Sequence, residues 1–412
     1  DYAHYVAEFN ADDPETIRTL VPNAEAATWI AENVPLFDCP DKDFERIYYY
    51  RWWSFRKHLR DTPDGTVVTE FLAPVGHAGP YNTISCALGH HLAEGRWLRD
   101  QRPLDEYVRF WYRSGPNGGP AEHFHKFSSW APAAIYDRYL VTGDLVGTVD
   151  LLDDMVADYR VWETERGRPD GLFWQFDVRD GMEESISGSR TAKQARPTIN
   201  SYMAANARAI AAIARLAGRE EVARQFDDKA AAIRTKMTAE LWDEDAKSFK
   251  VQREDGTLSD AREAIGFVPF AFGLTEPHGL TTAERRHPQF RTHGTGTCEW
   301  DGAVWPFATS QTLMGLAHVL RGGPQEFVTR RDYFDELLKY AGSHRQYGKP
   351  YLGEYLDETT GEWLIQGPKA ERSRFYNHST FADLVISGLV GLVPRADDTV
   401  EEFKRINGCT GL

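Results

Sequence analysis

Cysteine is scarce in this chain of 412 residues: Cys39, Cys86, Cys298 and Cys409 are the whole complement. They lie far apart with no C-x-x-C spacing, which excludes a zinc-ribbon site and a dense disulfide framework while leaving room for one bridge. Long apolar runs are missing too. No stretch of about 18 apolar residues exists, so no segment reads as a membrane span. Basic residues are in deficit, with 47 Lys and Arg against 62 Asp and Glu and a net charge of −15. Nucleic acid and anionic membranes both require a basic patch that releases counterions, so neither is an expected partner. Ser/Gly/Pro-rich tracts are also lacking, so residues 1–412 are expected to form one catalytic domain without a linker. The chain opens on Asp1 with no Met, which reads as a trimmed or processed start. That leaves the compartment open between cytoplasm and periplasm or secretion. Oligomeric state is not written in the sequence either.

Aromatic residues, by contrast, are plentiful: 13% of the chain, with 12 Trp and 18 Tyr. A large core absorbs many of them, but not those in Gly-rich loops, where aromatic faces are suited to stacking on sugar rings. The stretch Gly171-Leu172-Phe173-Trp174-Gln175-Phe176-Asp177-Val178-Arg179-Asp180-Gly181-Met182-Glu183-Glu184-Ser185 concentrates carboxylates beside aromatics and an Arg. It runs on to Arg196-Pro197-Thr198-Ile199-Asn200. Crowded carboxylates push their pKa values apart, leaving one as a proton donor near neutral pH. A solvated acidic loop would carry the charge equally well, yet Phe173, Trp174 and Phe176 ask for a core or a ligand.

Hydrophobic periodicity and breakers predict helices over 13–32, 43–59, 83–98, 103–113, 125–142, 145–166, 200–217 and 219–241. Further helices are expected over 262–273, 280–289, 306–321, 325–343 and 377–393. The one good hairpin lies over 249–258, where Asp255-Gly256 supplies the turn. Short turns alternate with long loops at 60–82, 114–124, 167–199, 242–261, 290–305 and 344–376. Up-and-down helices then bring every long loop to one end, which is the pattern of an all-α (α/α)6 toroid. An open repeat array is disfavoured because the hairpins share no consensus.

Two opposed carboxylates are what an inverting glycosidase needs, one to protonate the leaving oxygen and one to activate water. The loop over 344–376 supplies the second: Gly353-Glu354-Tyr355 is the preferred base, with Asp357 in a surface turn and Glu371 farther on. Between the acidic loops, Trp300-Asp301-Gly302-Ala303-Val304-Trp305-Pro306 puts an aromatic wall ahead of a helix that starts on proline. Tyr48-Tyr49-Tyr50-Arg51-Trp52-Trp53 sets an Arg among five aromatics, an arrangement that asks for an anionic or hydroxyl-rich partner.

Gly181-Met182-Glu183-Glu184-Ser185 resembles the Gly-Trp-Asp-x-Ser motif of the trehalases, mannosylglycerate hydrolases and processing α-glucosidases, glycoside hydrolase clan G (families 37 and 63). The motif Asp of that clan is the general acid, which the resemblance carries onto Glu183. Trp300–Pro306 looks like their Trp-Arg-Gly-Pro-x-Trp-Pro, and Gly353-Glu354-Tyr355 is similar to the segment with their general base. Phe375-Tyr376-Asn377-His378-Ser379 stands where they carry Phe-Ser/Gly-Trp-Thr. The acid here is Glu, the motif Trp is Met182, and the second motif's Arg is Asp301, so Asp180 stands as a rival acid. Such a subsite should not hold glucose as trehalase does. The runs around Glu183, Arg196 and Asn377 look closer to a branch that includes bacterial β-L-arabinofuranosidase domains, which implies a furanoside or other uncommon terminal sugar.

The expected activity is therefore inverting, exo-acting hydrolysis of a glycoside by Glu183 and Glu354, with an arabinofuranoside or an α-glucoside or mannoside as candidate substrates. The expected binding groups are Trp53, Trp174, Arg179, Arg196, Asn200, Trp300, Asp301, Trp305, Tyr355, Glu371, Asn377 and His378. Carbohydrate is the expected partner, with no cofactor and no metal, since His123-Phe124-His125 lacks a third ligand. The alternative is a sugar epimerase on the same toroid, using paired histidines drawn from His90, His91, His123, His125, His344 and His378. A polysaccharide lyase needs a basic groove that the acidic loops deny, and a glycan-binding module needs no paired carboxylates.

Overall fold

A computed structural model describes residues 2–274, 300, 302–326, 328–365, 368–397 and 401–402. The chain begins with α1 (Ala3–Ala11), α2 (Ala26–Asn33) and α3 (Lys42–Lys57), then a ribbon of β1 (Leu59–Thr62) and β2 (Gly65–Val68). Helices α4 (Leu88–Gly95), α5 (Arg102–Arg113), α6 (Ala131–Thr142), α7 (Leu145–Asp150) and α8 (Leu152–Arg166) follow. Strands β3 (Trp174–Gln175) and β4 (Gln194–Ala195) then lead to α9 (Pro197–Leu216) and α10 (Glu220–Glu240). After β5 (Trp242–Asp243), β6 (Ser248–Phe249) and α11 (Val268–Ala271) come α12 (Pro306–Arg321) and α13 (Arg330–Ser343). The last elements are β7 (Arg345–Gln346), β8 (Lys349–Pro350), α14 (Pro368–Ser373), a π-wound helix α15 (Leu384–Val390), β9 (Leu392–Val393) and β10 (Glu401–Glu402).

The helices form two concentric layers. Inner helices touch in the order α4, α6, α9, α11, α12 and α15. The ring closes where the Arg96 guanidinium, after α4, meets Asp383 at 2.6 Å, and where Glu94 accepts the amides of Phe381, Ala382 and Asp383. Outside them stand α3, α5, α8, α10 and α13, with α10 on α9, α13 on α12, and α13 against α3. Burial explains the sorting. Almost every residue of the Ala-rich α9 is buried, as an inner helix requires, whereas α10 buries only Ala223, Phe226, Ile233 and Met237 along one stripe. Each inner helix runs away from the long-loop end, and α6, α9, α11 and α12 all open there with proline in the first turn.

The fold is thus the all-α toroid expected, with local differences. The helix expected over 13–32 is confined to α2 and a short 3-10 turn at Asn23–Glu25, because Pro14 and Pro22 interrupt it. The structure instead has α1, whose Tyr5, Val6 and Phe9 are buried against α3. The helix expected over 145–166 divides into α7 and α8, that over 262–273 is a 3-10 turn followed by α11, and the loop over 344–376 contains α14. The region 280–289 lies outside the described residues. At the expected hairpin over 249–258 the turn is present, but its pairing is a bridge between Gln252 and Leu258; β6 pairs backwards with β5. Cys39 and Cys86 are free and buried, and Cys298 and Cys409 lie outside the described residues. Among the described residues no helix is long and apolar enough to cross a membrane.

Arg51 finds the anionic and hydroxyl partners its aromatic setting calls for within the protein itself. It is fully enclosed, 3.2 Å from Glu94 and 3.0 Å from the Ser379 hydroxyl, with His344 at 3.1 Å. Glu94 therefore both pairs with Arg51 and caps α15 from another helix. Replacing it with Ala strands a buried guanidinium and three amides, so a loss of about 3–5 kcal/mol is expected, read as a lower denaturant midpoint. An unchanged midpoint would mean that water replaces the carboxylate.

Candidate active site

The long loops meet at the N-terminal ends of the inner helices. The acidic loop is pinched at its base by the β3–β4 ladder, Trp174 opposite Ala195 and Gln175 opposite Gln194, so residues 176–193 stand as one excursion. Asp177 organises its interior by accepting the Glu184 amide at 2.9 Å. Gly181 turns the chain with φ of +73° and sits against Cys86. Glu183 follows, half-buried at the wall of the excursion.

Glu354 comes from the opposite loop. Gly353 is required there, since a Cβ would come within 2.9 Å of both the Trp363 and Tyr351 rings. The Val304–Leu356 bridge ties this loop to the aromatic wall. Glu354 is 6% exposed; its Oε2 accepts from the Ser373 hydroxyl at 2.9 Å and lies 3.4 Å from the Arg372 guanidinium. Both groups favour the ionised form.

A third carboxyl joins them. Glu70, just after β2, is 2% exposed, and its Oε1 accepts the Tyr376 hydroxyl. Burial first, then the charges of Glu354 and Glu183, push its carboxyl up to about 8, against the Tyr376 bond that lowers it. Glu183 and Glu354 thus both lie within electrostatic reach of Glu70, although three different loops supply the three carboxyls. Cys86 lies in the field of Glu70 and Glu183, and burial raises its thiol, which leaves it inert. The sequence signal for Glu70 is a lone acid in the apolar run Val67-Val68-Thr69-Glu70-Phe71-Leu72, inside a loop assigned to the correct end.

Aromatic rings frame the cleft. Trp305 is stacked between Trp300 at 4.2 Å and Tyr355 at 4.7 Å, so its faces are already used. Trp300 and Tyr355 are the partly exposed ends of that stack. His378 is 2% exposed, its ring 3.8 Å from that of Tyr376, and both ring nitrogens are buried without a hydrogen-bond partner among the described residues. Burial holds this imidazole neutral, well below its ordinary range.

Other expected site residues stand elsewhere. Asp180 and Arg196 form an ion pair at 2.8 Å with no exposure on either side chain, beneath the loop. Burial raises Asp180, Arg196 opposes that, and the pairing leaves Asp180 no access to a leaving group. Asn200 is spent on the backbone, bonding Phe173 N and O at 2.8 Å each. Asn377 joins the first and last loops through Thr69 O and Glu70 O. Trp53 is core, 1% exposed, packed on Phe9 and Phe375 with its N–H on Asn10. Trp174 is held between the cations of Arg166 at 4.6 Å and Lys193 at 4.8 Å, and Arg179 lies 5.9 Å from the Phe127 ring. Asp301 is outside the described residues, and Glu371 lies on α14 with its side chain outside them.

Among the described residues, most of the expected histidines are held by other partners, while His90 and His378 pack on the same Phe307 ring. His90 bonds Thr380, His91 bonds Tyr107 and the Asn377 carbonyl, His344 bonds Arg51 and the Tyr340 carbonyl, and His125 pairs with Asp158. Among the described residues no three His, Cys, Asp or Glu gather as a metal site. A cavity of about 460 Å³ opens at the far end of the bore, among Arg96, Asp137, Arg208, His318 and Arg321. It is separate from the three carboxyls.

A toroid that gathers carboxylates and stacked aromatics at its loop end has the architecture of the six-hairpin glycosidases. Residues 80–379 match the mannosylglycerate hydrolase MGH1-like glycoside hydrolase domain, and the chain belongs to that family. It is also similar to a solved structure named "Sialidase", at 46% identity and a TM-score of 0.93 over 97% of this chain, but it spans only 38% of that longer protein. A family 63 mannosylglycerate hydrolase from Thermus thermophilus, solved with glucose, shares the fold at 14% identity. Its TM-score is 0.58, over 82% of this chain and 99% of its own. A rhamnosidase from Klebsiella oxytoca with rhamnose bound does so at 11% identity and a TM-score of 0.61, over 86% and 65%. The epimerase alternative falls with the family assignment.

Proposed function

We propose that this glycoside hydrolase domain removes a terminal neutral sugar with inversion of configuration, with Glu183 as general acid and Glu354 as general base. The observation that supports the reading is the convergence of Glu183 and Glu354 from two different loops on the surroundings of Glu70. Glu354, in contact with Arg372 and Ser373, is suited to take a proton from water, while the half-buried Glu183 is suited to give one to the leaving oxygen. Trp300 and Tyr355 offer stacking surface beside them.

Charge argues for a neutral substrate. A sialoside or uronide would bring its carboxylate toward the Glu354 carboxylate, whereas recognition of such sugars calls for a converging Arg cluster. The activity named for the longer relative is therefore not assigned to this cleft. A furanoside such as an arabinofuranoside, or an α-glucoside or mannoside, fits the charge. A panel of 4-nitrophenyl glycosides covering α and β hexopyranosides and L- and D-arabinofuranosides tests the reading, followed by proton NMR of the first-formed anomer. Inversion is expected; a first product with retained configuration would overturn the acid and base assignment.

A further inference from the structure

Glu70 is the polar group of the cleft that the acid and base do not explain. Its backbone is pinned on both sides: its N–H donates to Asn82 O at 3.0 Å and its carbonyl accepts the Asn377 amide at 2.9 Å. The Tyr376 hydroxyl fixes Oε1, while Oε2 is buried with no hydrogen-bond partner among the described residues. His378, tilted against the same Tyr376 ring, likewise has both ring nitrogens buried with no hydrogen-bond partner among the described residues. Buried polar atoms left unpaired cost free energy, so two such groups in contact with one tyrosine mark a place suited to hydroxyls that arrive with the substrate.

We propose that Glu70 is a substrate-binding residue, whose Oε2 holds one hydroxyl of the terminal sugar while His378 takes another. The inference rests on the glycosidase reading and deepens it: the ligand is the hydroxyl face of a neutral sugar. The groups facing Glu70 are Glu354 and Tyr376 from the last loop, Glu183 from the acidic excursion, Cys86 ahead of α4 and Tyr107 from α5. Burial and the Glu354 carboxylate keep Glu70 protonated at neutral pH, so Oε1 accepts from Tyr376 and Oε2–H donates to the sugar. A neutral acid in this position grips without adding a negative charge beside Glu354.

Glu70→Gln preserves shape and a neutral donor, and Glu70→Ala removes the grip. With the 4-nitrophenyl glycoside that turns over, Glu70→Gln should stay within about tenfold of the parent in kcat/KM, and Glu70→Ala should lose about 100-fold, mostly in KM. A series of monodeoxy versions of that glycoside should contain one that costs the parent as much as Glu70→Ala does and costs Glu70→Ala nothing further. Circular dichroism separates these effects from misfolding. A readout without substrate follows from linkage. The native state keeps this proton up to about 8 while an ordinary glutamate releases it near 4.5, so the parent's stability falls as pH rises through that window. The thermal midpoint of Glu70→Gln should therefore pull ahead of the parent's between those values and hold its lead above them. A Glu70→Gln loss of about 1,000-fold that an activated dinitrophenyl leaving group restores would overturn the proposal and make Glu70 the proton donor. Full activity in Glu70→Ala would overturn it as well. Failure of the acid and base reading would register separately, as activity surviving in Glu183→Gln or Glu354→Gln.

Discussion

Glu354→Gln should lower kcat by about three orders of magnitude or more, with KM little changed and the loss the same for good and poor leaving groups. A general base acts on water, on the face of the sugar away from the departing group, so leaving-group quality cannot compensate for its loss. The amide keeps the shape and can still meet the Ser373 hydroxyl, now 2.9 Å from Oε2, and that should preserve folding and sugar binding. Removing the charge beside Arg372 also frees that guanidinium, so a modest gain in affinity for anionic inhibitors is a secondary consequence. Turnover near the parent's would sink the base assignment, and Asp357 and Glu371 would be the next carboxylates to test.

Glu183→Gln should show the complementary pattern. For an alkyl or disaccharide leaving group the loss should reach about 10³–10⁴, because the departing alkoxide needs a proton in the transition state. For a dinitrophenyl glycoside it should shrink to tens, since that oxygen leaves unassisted. Removing the Glu183 charge also relieves one of the two carboxylates that repel Glu70, so the Glu70 carboxyl should titrate lower in this variant than in the parent. That second readout does not depend on turnover. Parent-like activity on poor leaving groups would move the acid to another carboxyl; Asp180, sealed under the loop in its ion pair with Arg196, would first have to break that pair.

The elements that local chemistry governs were legible. Apolar periodicity placed α3, α5, α9, α10, α12 and α13 within a few residues of their observed ends, and Pro306 marked a helix start because it lacks the amide hydrogen a first turn leaves unused. Alternation of short turns with long loops carried the toroid itself. Where a decision depended on partners distant in the chain, pattern was insufficient. Arg51 among aromatics asked for an anionic or hydroxyl-rich partner, but that the partners are Glu94 and Ser379, from two distant segments, was not legible. Trp53 and Asn200 have the chemistry of sugar contacts, but one is spent on packing and the other on backbone, and nothing near either position in the sequence says so.

By itself the sequence determined the class of architecture and the end of the toroid at which the long loops gather, because these follow from periodicity, breakers and composition. Tertiary structure decided which carboxyls meet. Glu70 is one acid in an apolar strand-and-loop run until the first and last hairpins close the ring and bring Tyr376, Glu354 and Glu183 around it. Asp180 is one acid among several in its loop until Arg196 is buried against it. A carboxyl's role depends on desolvation and on the charges a few ångströms away, and those neighbours are set by closure of the ring and not by adjacency along the chain.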